Sequence, residues 1–153
     1  NSASGTIHRL LKMGVSGDDL ADASNLFIAQ RLVRRLCPEC ALSGAPTAEE
    51  KAIIEKVLAT ITPAAGVTVP EITLHKEKGC PACKGTGYNG QMILSEALSV
   101  DQDIKDLIVA RAQAHEIENK AIEKGMLTML HDGILAVLEG RTTLEEIKRV
   151  TEI

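Results

Sequence analysis

The sequence predicts a mainly α-helical protein with a small β component. Its 153 residues suffice for one domain or two small units, and the 44% apolar and 25% charged fractions are typical of globular proteins. Apolar residues recur at helical spacing through most of the chain, above all after Val100. Extended structure is predicted only for VTVPEITLHK and QMILSEAL. No apolar run is long enough to cross a bilayer, so we expect a soluble chain.

Two helices are predicted before the first cysteine. In the first, Ile7, Leu10 and Leu11 have helical spacing, and Gly14 follows as a natural end. The second is predicted over 18–36, or from 17, with its acidic residues early and its arginines late, as the helix dipole favours. Its apolar stripe consists of Leu26, Ala29, Val33 and Leu36.

The middle of the chain, 41–78, is predicted to contain one further helix. Thr47 and Glu50 form a capping box at its start, and an apolar face follows before TPAAG ends it. VTVPEITLHK is then predicted to be a short extended segment, in which Pro70 favours the edge of a sheet. QMILSEAL is predicted to be a strand that leads into the last helices.

The last third is predicted to be helical over 101–113, 114–124, 128–139 and 143–151. Gly125 and Gly140 mark ends, and Thr143 with Glu146 forms a second capping box. The core candidates here are Ile104, Leu107, Ile108, Ile117, Ala121, Ile134, Val137, Leu138, Leu144 and Ile147.

The four cysteines form two Cys-x-x-Cys pairs, Cys37 with Cys40 and Cys80 with Cys83, with 39 residues between the pairs. Two residues between thiols let one turn direct both sulfurs at a point about 2.3 Å away, and two such turns complete a zinc tetrahedron. Glycines in the following KGTG allow backbone N–H groups to approach the sulfurs. The pattern therefore favours a structural zinc ion held by four thiolates.

Other interpretations use the same residues. Each pair also matches the Cys-Pro-x-Cys of thioredoxin-like proteins, but there a helix begins at the first cysteine, whereas Cys37 is predicted to follow one. Two disulfides are disfavoured because no secretion signal is visible, and a four-thiolate iron–sulfur cluster is a further alternative. GTGYNG lacks the Gly-Lys-Ser/Thr ending of a phosphate-binding loop.

The remaining polar residues favour structural roles. The four histidines have no mutual metal-binding spacing; they are His8, His75, His115 and His131. The glutamates of the last helices are predicted to be solvated; they are Glu118, Glu123, Glu139, Glu145 and Glu146. Arg31, Arg34 and Arg35 are interpreted as the basic end of a helix, with an acidic partner or a nucleotide as the alternative. The formal charge of −4 and the 1% aromatic content argue against nucleic-acid binding.

Three stretches occur in order: QRLVRRLCPEC, GCPACKGTGYNGQMILSEAL and GMLTMLHDGILAVLEGRTTLEEIKRVT. Together they resemble the C-terminal part of the secretion ATPases, the hexameric motors of type IV pilus assembly and type II protein secretion. The opening NSASGTIHRLLKMGV is similar to the family's stretch just beyond its histidine box. One departure is Gln91, because the family commonly has Gly-Arg where this chain has Gly90-Gln91.

The resemblance implies the C-terminal part of a RecA-like α/β domain with an inserted zinc-binding subdomain and a terminal helical bundle. It also implies that Cys37, Cys40, Cys80 and Cys83 bind structural zinc, and it favours assembly or secretion over retraction, because retraction motors generally lack these cysteines. ATP and Mg²⁺ are implied for a parent protein only. The family's acidic boxes and catalytic histidine lie upstream of this stretch, and no Walker A string is present, so we assign no catalytic residue and expect no ATP hydrolysis by this chain alone.

By the same resemblance, 1–36 would be the C-terminal helices of the ATPase core and 37–90 a four-cysteine subdomain with a helical insertion. The remainder, 91–153, would be the C-terminal strand and helical region. Expected partners are neighbouring subunits of a hexamer and inner-membrane platform proteins, at a cytoplasmic location peripheral to that membrane, without direct insertion into it.

Two functions of other classes remain as alternatives. CPACKGTG also matches the CxxCxGxG unit of heat-shock chaperones, which suggests a stand-alone zinc-knuckle module that binds proteins. A thiol–disulfide oxidoreductase is the third hypothesis.

Overall fold

The computed structural model describes residues 2–151. Within this range 46% of residues are helical and 19% are in strands, which confirms a mainly α fold with a small β component. The helical fraction includes two 3₁₀ turns, Pro63–Ala65 and Pro81–Cys83. The α-helices are α1 (Ala3–Lys12), α2 (Gly17–Ala23), α3 (Ala48–Leu58), α4 (Gln102–Val109), α5 (Ala114–Glu123), α6 (Met129–Leu138) and α7 (Leu144–Val150). The strands are β1 (Leu26–Leu36), β2 (Leu42–Gly44), β3 (Leu74–Lys76) and β4 (Tyr88–Ser99).

The predicted helix over 18–36 is wrong after Ala23. α2 ends at Ala23, Ser24 already has extended backbone angles, and the following residues form β1. Aromatic and β-branched side chains such as Phe27, Ile28 and Val33 favour a strand. The apolar spacing alone fits a helix as well, and pairing with β4 decides the outcome. The arginines of this segment therefore lie on a strand, and their interpretation as a basic helix end is also wrong.

The other predicted helices are confirmed, with shorter bounds for α3 to α7, and the strand predicted at QMILSEAL is confirmed as the longer β4. The capping box of α3 is complete, since the Glu50 N–H donates to Thr47 Oγ1 at 3.2 Å and the Thr47 N–H donates to Glu50 Oε2 at 2.7 Å. Gly125 and Gly140 follow α5 and α6 with φ of 101° and 71°, values that favour glycine. In VTVPEITLHK only β3 forms, antiparallel to β2 with His75 opposite Ser43.

β1 and β4 pair as a two-stranded sheet. At one end the Val100 N–H donates to the Asn25 carbonyl at 2.9 Å, and at the other the Cys37 N–H donates to the Gly87 carbonyl at 2.9 Å. The start of each strand therefore lies beside the end of the other, so the two strands are antiparallel.

The chain divides into two compact units. Unit 1 comprises Asn1–Ala29, Ile61–Gly66 and Ser95–Thr128, and unit 2 comprises Gln30–Thr60, Val67–Leu94 and Met129–Ile153. Each unit is thus assembled from three separate stretches of sequence.

Unit 1 is built from α1, α2, α4 and α5 around a core of aliphatic side chains that includes Ile7, Ile108 and Ile117, all fully buried. α2 crosses α4 closely, since a Cβ atom on Gly17 would lie 3.0 Å from the Ile108 carbonyl oxygen. The buried Glu96 carboxylate accepts the Ala3 N–H at 2.5 Å and so holds the first turn of α1.

Unit 2 is built around α6, which contacts α3, α7 and β3. Ile54 of α3, Ile134 of α6 and Ile147 of α7 are fully buried in it. The predicted core residues of both units after Val100 are buried except Leu107, which is half-buried. Unit 2 also contains all four cysteines, so its packing holds the candidate site in place.

Candidate metal centre

Two turns in unit 2 bring the four cysteines together. Cys37 directly follows β1, and its carbonyl accepts the Ala41 N–H at 3.0 Å, which closes the first turn. The second turn is a single 3₁₀ turn, Pro81–Cys83, just before β4. The first pair was predicted to follow a helix, but it follows a strand.

The four sulfur atoms lie within 4.8 Å of one another. The Sγ–Sγ distances are 3.8 Å for Cys37–Cys80, 3.8 Å for Cys40–Cys83 and 3.7 Å for Cys80–Cys83. Four sulfurs at tetrahedral positions about 2.3 Å from a zinc ion are about 3.8 Å apart, whereas the sulfurs of a disulfide are about 2.05 Å apart. The cysteines are free thiols, and their spacing fits a four-coordinate metal ion.

Glycines allow the backbone to turn around these sulfurs. Gly79 has φ of 97°, and a Cβ atom there would lie 2.6 Å from the Gly85 carbonyl oxygen. Gly87 has φ of 76°, and a Cβ atom there would collide with Glu77. In this conformation the Gly87 N–H donates to Cys83 Sγ at 3.2 Å. Gly87 thus serves the cysteine site, as predicted for the glycines of KGTG, and Gly79, which was not predicted, allows the same turn.

The protein environment gives the Cys83 and Cys40 thiols very different pKa values. Burial raises the pKa of Cys83, but N–H donors of Cys80 and Gly87 outweigh it and lower that pKa to about 6. Burial raises the pKa of Cys40 to about 12, although a backbone donor at Gly79 opposes it. Cys83 therefore loses its proton more readily than Cys40, which suits a ligand set that must lose protons to bind a metal.

Two of the four cysteines are buried residues. Cys37 and Cys83 are buried, while Cys40 and Cys80 are half-buried. Among residues 2–151 the four cysteines are the one group of three or more His, Cys, Asp or Glu side chains placed to hold a metal ion. Four thiolates in closed tetrahedral geometry are typical of a structural zinc site, because they leave no position for a substrate.

The polar cluster of Glu146 with Arg34 and Arg149 was not predicted from the sequence. Glu146 was predicted to be solvated, but only 1% of its side chain is exposed. It accepts from Arg34 Nε at 2.9 Å and from Arg149 Nη2 at 2.9 Å. Burial would raise the pKa of Glu146, but these donors lower it to about 2. Arg149 lies three residues from Glu146 on the same helix, but Arg34 lies 112 residues away, so no local pattern identifies Arg34 as a partner.

The second predicted capping box, Thr143 with Glu146, forms only in part, because the Glu146 side chain binds arginines. The Glu146 N–H donates to Thr143 Oγ1 at 3.2 Å, as predicted, but the Glu146 carboxylate is bound to the two arginines. The histidines do not contribute to the cysteine site, and His131 is buried with its Nε2 atom 2.7 Å from Thr60 Oγ1.

No helix within residues 2–151 is both long and apolar enough to span a membrane.

Comparison with known proteins identifies the family. The Type II/IV secretion system protein family matches residues 1–149. The type IV pilus assembly ATPase PilB of Myxococcus xanthus is 35% identical over 150 residues, which are 96% of this chain and 25% of that protein. PilB of Thermus thermophilus is 39% identical over 96% of this chain and 16% of its own length. Type II secretion system protein E of Xanthomonas campestris pv. campestris is 39% identical over 99% of this chain and 25% of its own.

This chain therefore spans about a quarter or less of the length of these relatives. The match nevertheless includes both cysteine pairs and nearly all of the described residues. The chain belongs to the Type II/IV secretion system protein family.

Proposed function

We propose that this chain is the zinc-binding C-terminal part of a hexameric motor ATPase that powers type IV pilus assembly or type II protein secretion. The observation that carries the proposal is the group of four sulfurs, which lie within 4.8 Å of one another with three pairs at 3.7–3.8 Å, in a chain of this family. The proposed ligands are Cys37, Cys40, Cys80 and Cys83, and the role of the metal is structural.

A bound zinc ion would supply a four-coordinate link and no open coordination site. Its protein ligands come from the turn after β1 and the turn before β4, and the cysteines in contact across the two pairs are 43 residues apart in sequence. Structural zinc contributes on the order of 10 kcal/mol to small units, which is comparable with the stability of a whole domain. The metal site would therefore be the main constraint on the folded conformation of residues 37–90.

The finer architecture belongs to the same proposal. We place 1–36 with the ATPase core, 37–90 in an inserted zinc-binding subdomain and 91–153 in a C-terminal strand and helical region of a RecA-like domain. The proposed partners are neighbouring subunits and inner-membrane platform proteins, at the cytoplasmic side of that membrane. The names of the relatives, an ATPase of pilus assembly and a type II secretion protein, support this assignment.

ATP hydrolysis is assigned to the parent motor and not to this chain alone. Phosphoryl transfer needs a glycine-rich Lys-Ser/Thr loop for the phosphates and acidic residues for magnesium. The 153 residues contain no Gly-Lys-Ser or Gly-Lys-Thr string, and the glycine-rich GTGYNG serves the cysteine turns instead.

Metal analysis of the purified chain tests the proposal. We expect one zinc per chain, lost in Cys80→Ser and retained in His115→Ala, an exposed residue outside the site. Purified chain without metal, or zinc retained in full by Cys80→Ser, would contradict the assignment. ATP turnover above a buffer blank that survives removal of contaminating ATPases would contradict the assignment of ATP hydrolysis to the parent motor and not to this chain alone.

A further inference from the structure

A group of contacts in unit 2 connects the cysteine site with helix α7. We define the α7 clamp as Arg34, Tyr88, Thr143 and Glu146. Arg34 lies three residues before Cys37, and Tyr88 lies five residues after Cys83. The other two members lie at the start of α7. Both strands that adjoin the cysteine turns therefore carry a residue that holds the same helix.

Glu146 is the centre of the clamp. Its Oε2 atom accepts the backbone N–H of Arg34 at 2.9 Å, and its Oε1 atom accepts from Arg34 Nε at 2.9 Å and Nη2 at 2.5 Å. The carboxylate thus binds the main chain as well as the side chain of β1. A buried carboxylate depends on such donors, because without them Glu146 would keep the exposed Arg149 guanidinium of its own helix but lose the main-chain and side-chain donors of β1.

Further bonds hold the turn before α7 against the same strands. The Thr142 hydroxyl donates to the Arg34 carbonyl at 2.8 Å, and the Leu36 N–H donates to the Arg141 carbonyl at 2.9 Å. The Tyr88 hydroxyl lies 3.0 Å from Thr143 Oγ1. The Arg34 guanidinium stacks over the Tyr88 ring at 4.1 Å, so the two strands also hold each other at this point.

Gly87 links these strands to the sulfurs. Its N–H donates to Cys83 Sγ at 3.2 Å, and its carbonyl accepts the Cys37 N–H at 2.9 Å. Tyr88 is the next residue. Any change that moves the Cys83 sulfur or separates the two turns must therefore also move the residues that position Arg34 and Tyr88.

We infer that metal binding at the four cysteines controls the docking of α7, and that the α7 clamp transmits the effect. With the metal bound, the end of β1 and the start of β4 are held together, and they present Arg34 and Tyr88 to α7. Without it, four thiols that share one small space have no common ligand, the strand ends separate, and α7 loses its partners. This inference rests on the proposed metal binding and adds a consequence for a specific helix.

Because metal binding and α7 docking are thermodynamically linked, the effect of docking on metal affinity can be measured as well. If the metal favours docked α7, then weakening the docking must lower the metal affinity by the same factor. Glu146→Gln removes the charge that binds Arg34 and leaves the cysteines unchanged. Glu145→Gln is the matched control, since it removes the same charge from the adjacent, exposed position.

Zinc affinity of the 153-residue chain, measured by competition with a chromogenic chelator, provides the first test. We expect Glu146→Gln to bind zinc at least about 5-fold more weakly than Glu145→Gln. Equal affinities would overturn the inference. Tyr88→Phe provides a milder second variant if Glu146→Gln does not fold, and we expect about 2-fold weaker binding from loss of the Thr143 contact alone.

Hydrogen exchange read by mass spectrometry provides the second test. On metal removal we expect amides of 140–150 to exchange faster while those of α6 keep their protection. Unchanged exchange in α7 would overturn the inference, and so would equal loss of protection in α6 and α7, because that would show general unfolding of unit 2. Failure of the wild-type chain to bind zinc would instead refute the proposed function, so the two failures are distinguishable.

Discussion

Replacing Glu146 by glutamine tests whether a buried ion pair stabilises unit 2. A fall of the pKa of Glu146 from 4.5 to about 2 on folding corresponds to about 3 kcal/mol in favour of the charged, folded form. Arg34 and Arg149 are 51% and 56% exposed, so solvent screening makes this an upper value. We expect Glu146→Gln to lower the free energy of unfolding by about 2 kcal/mol at pH 7.

The assay is urea unfolding of the zinc-loaded chain, followed by circular dichroism, with Glu145→Gln as the matched control. The control removes one negative charge from the same turn but from an exposed side chain, and we expect a change of less than about 0.5 kcal/mol. A Glu146→Gln midpoint equal to that of the control at pH 7 would refute the reasoning.

The pH dependence tests whether Glu146 is the group responsible. Because folding lowers the pKa of Glu146, its contribution is complete above the unfolded value of 4.5 and disappears as the pH falls toward about 2. A zinc site made of thiolates loses its metal when the thiolates are protonated, so the variants are compared above that range. The difference between the two variants should be the same at pH 7 and at about pH 6, and a difference that falls between these values would show that a group of higher pKa is responsible.

Three further predictions concern the cysteine site and its surroundings. Cys80→Ser should release one metal equivalent and lower the Tm by about 10 °C or more in differential scanning calorimetry, and an unchanged Tm after verified metal loss would contradict a structural role. Gly87→Ala should destabilise the chain by more than Gly90→Ala in urea unfolding, because both positions have φ of 76° but only Gly87 would place a Cβ atom against Glu77; equal effects would argue against this contact. Thr47→Ala should cost about 1 kcal/mol in the same assay, because it removes the cap of α3, and no measurable cost would show that the cap is dispensable.

The cysteine site was predictable because its signal is local. Two thiols separated by two residues direct both sulfurs to one point, whatever element precedes them, so Cys37 remains in the site although it follows a strand and not a helix. The cap at Thr47 and the helix end at Gly140 were predictable for the same reason, because each depends on contacts within one turn.

The errors arose where distant parts of the chain decide the structure. Apolar residues of β1 have a spacing that fits a helix, and the strand forms because β4, which begins more than fifty residues later, pairs with it. Glu146 has the sequence context of a capping glutamate, yet it binds Arg34 across 112 residues. Neither pairing leaves a periodic signal in the sequence, so single-sequence reasoning had no access to them.

The most direct test of the account is zinc K-edge X-ray absorption on the chain as purified without added metal. The account predicts one zinc per chain, with a first shell of four sulfurs at about 2.3 Å. Nitrogen or oxygen ligands in that shell, or a chain that contains no zinc and carries its cysteines as disulfides, would contradict it.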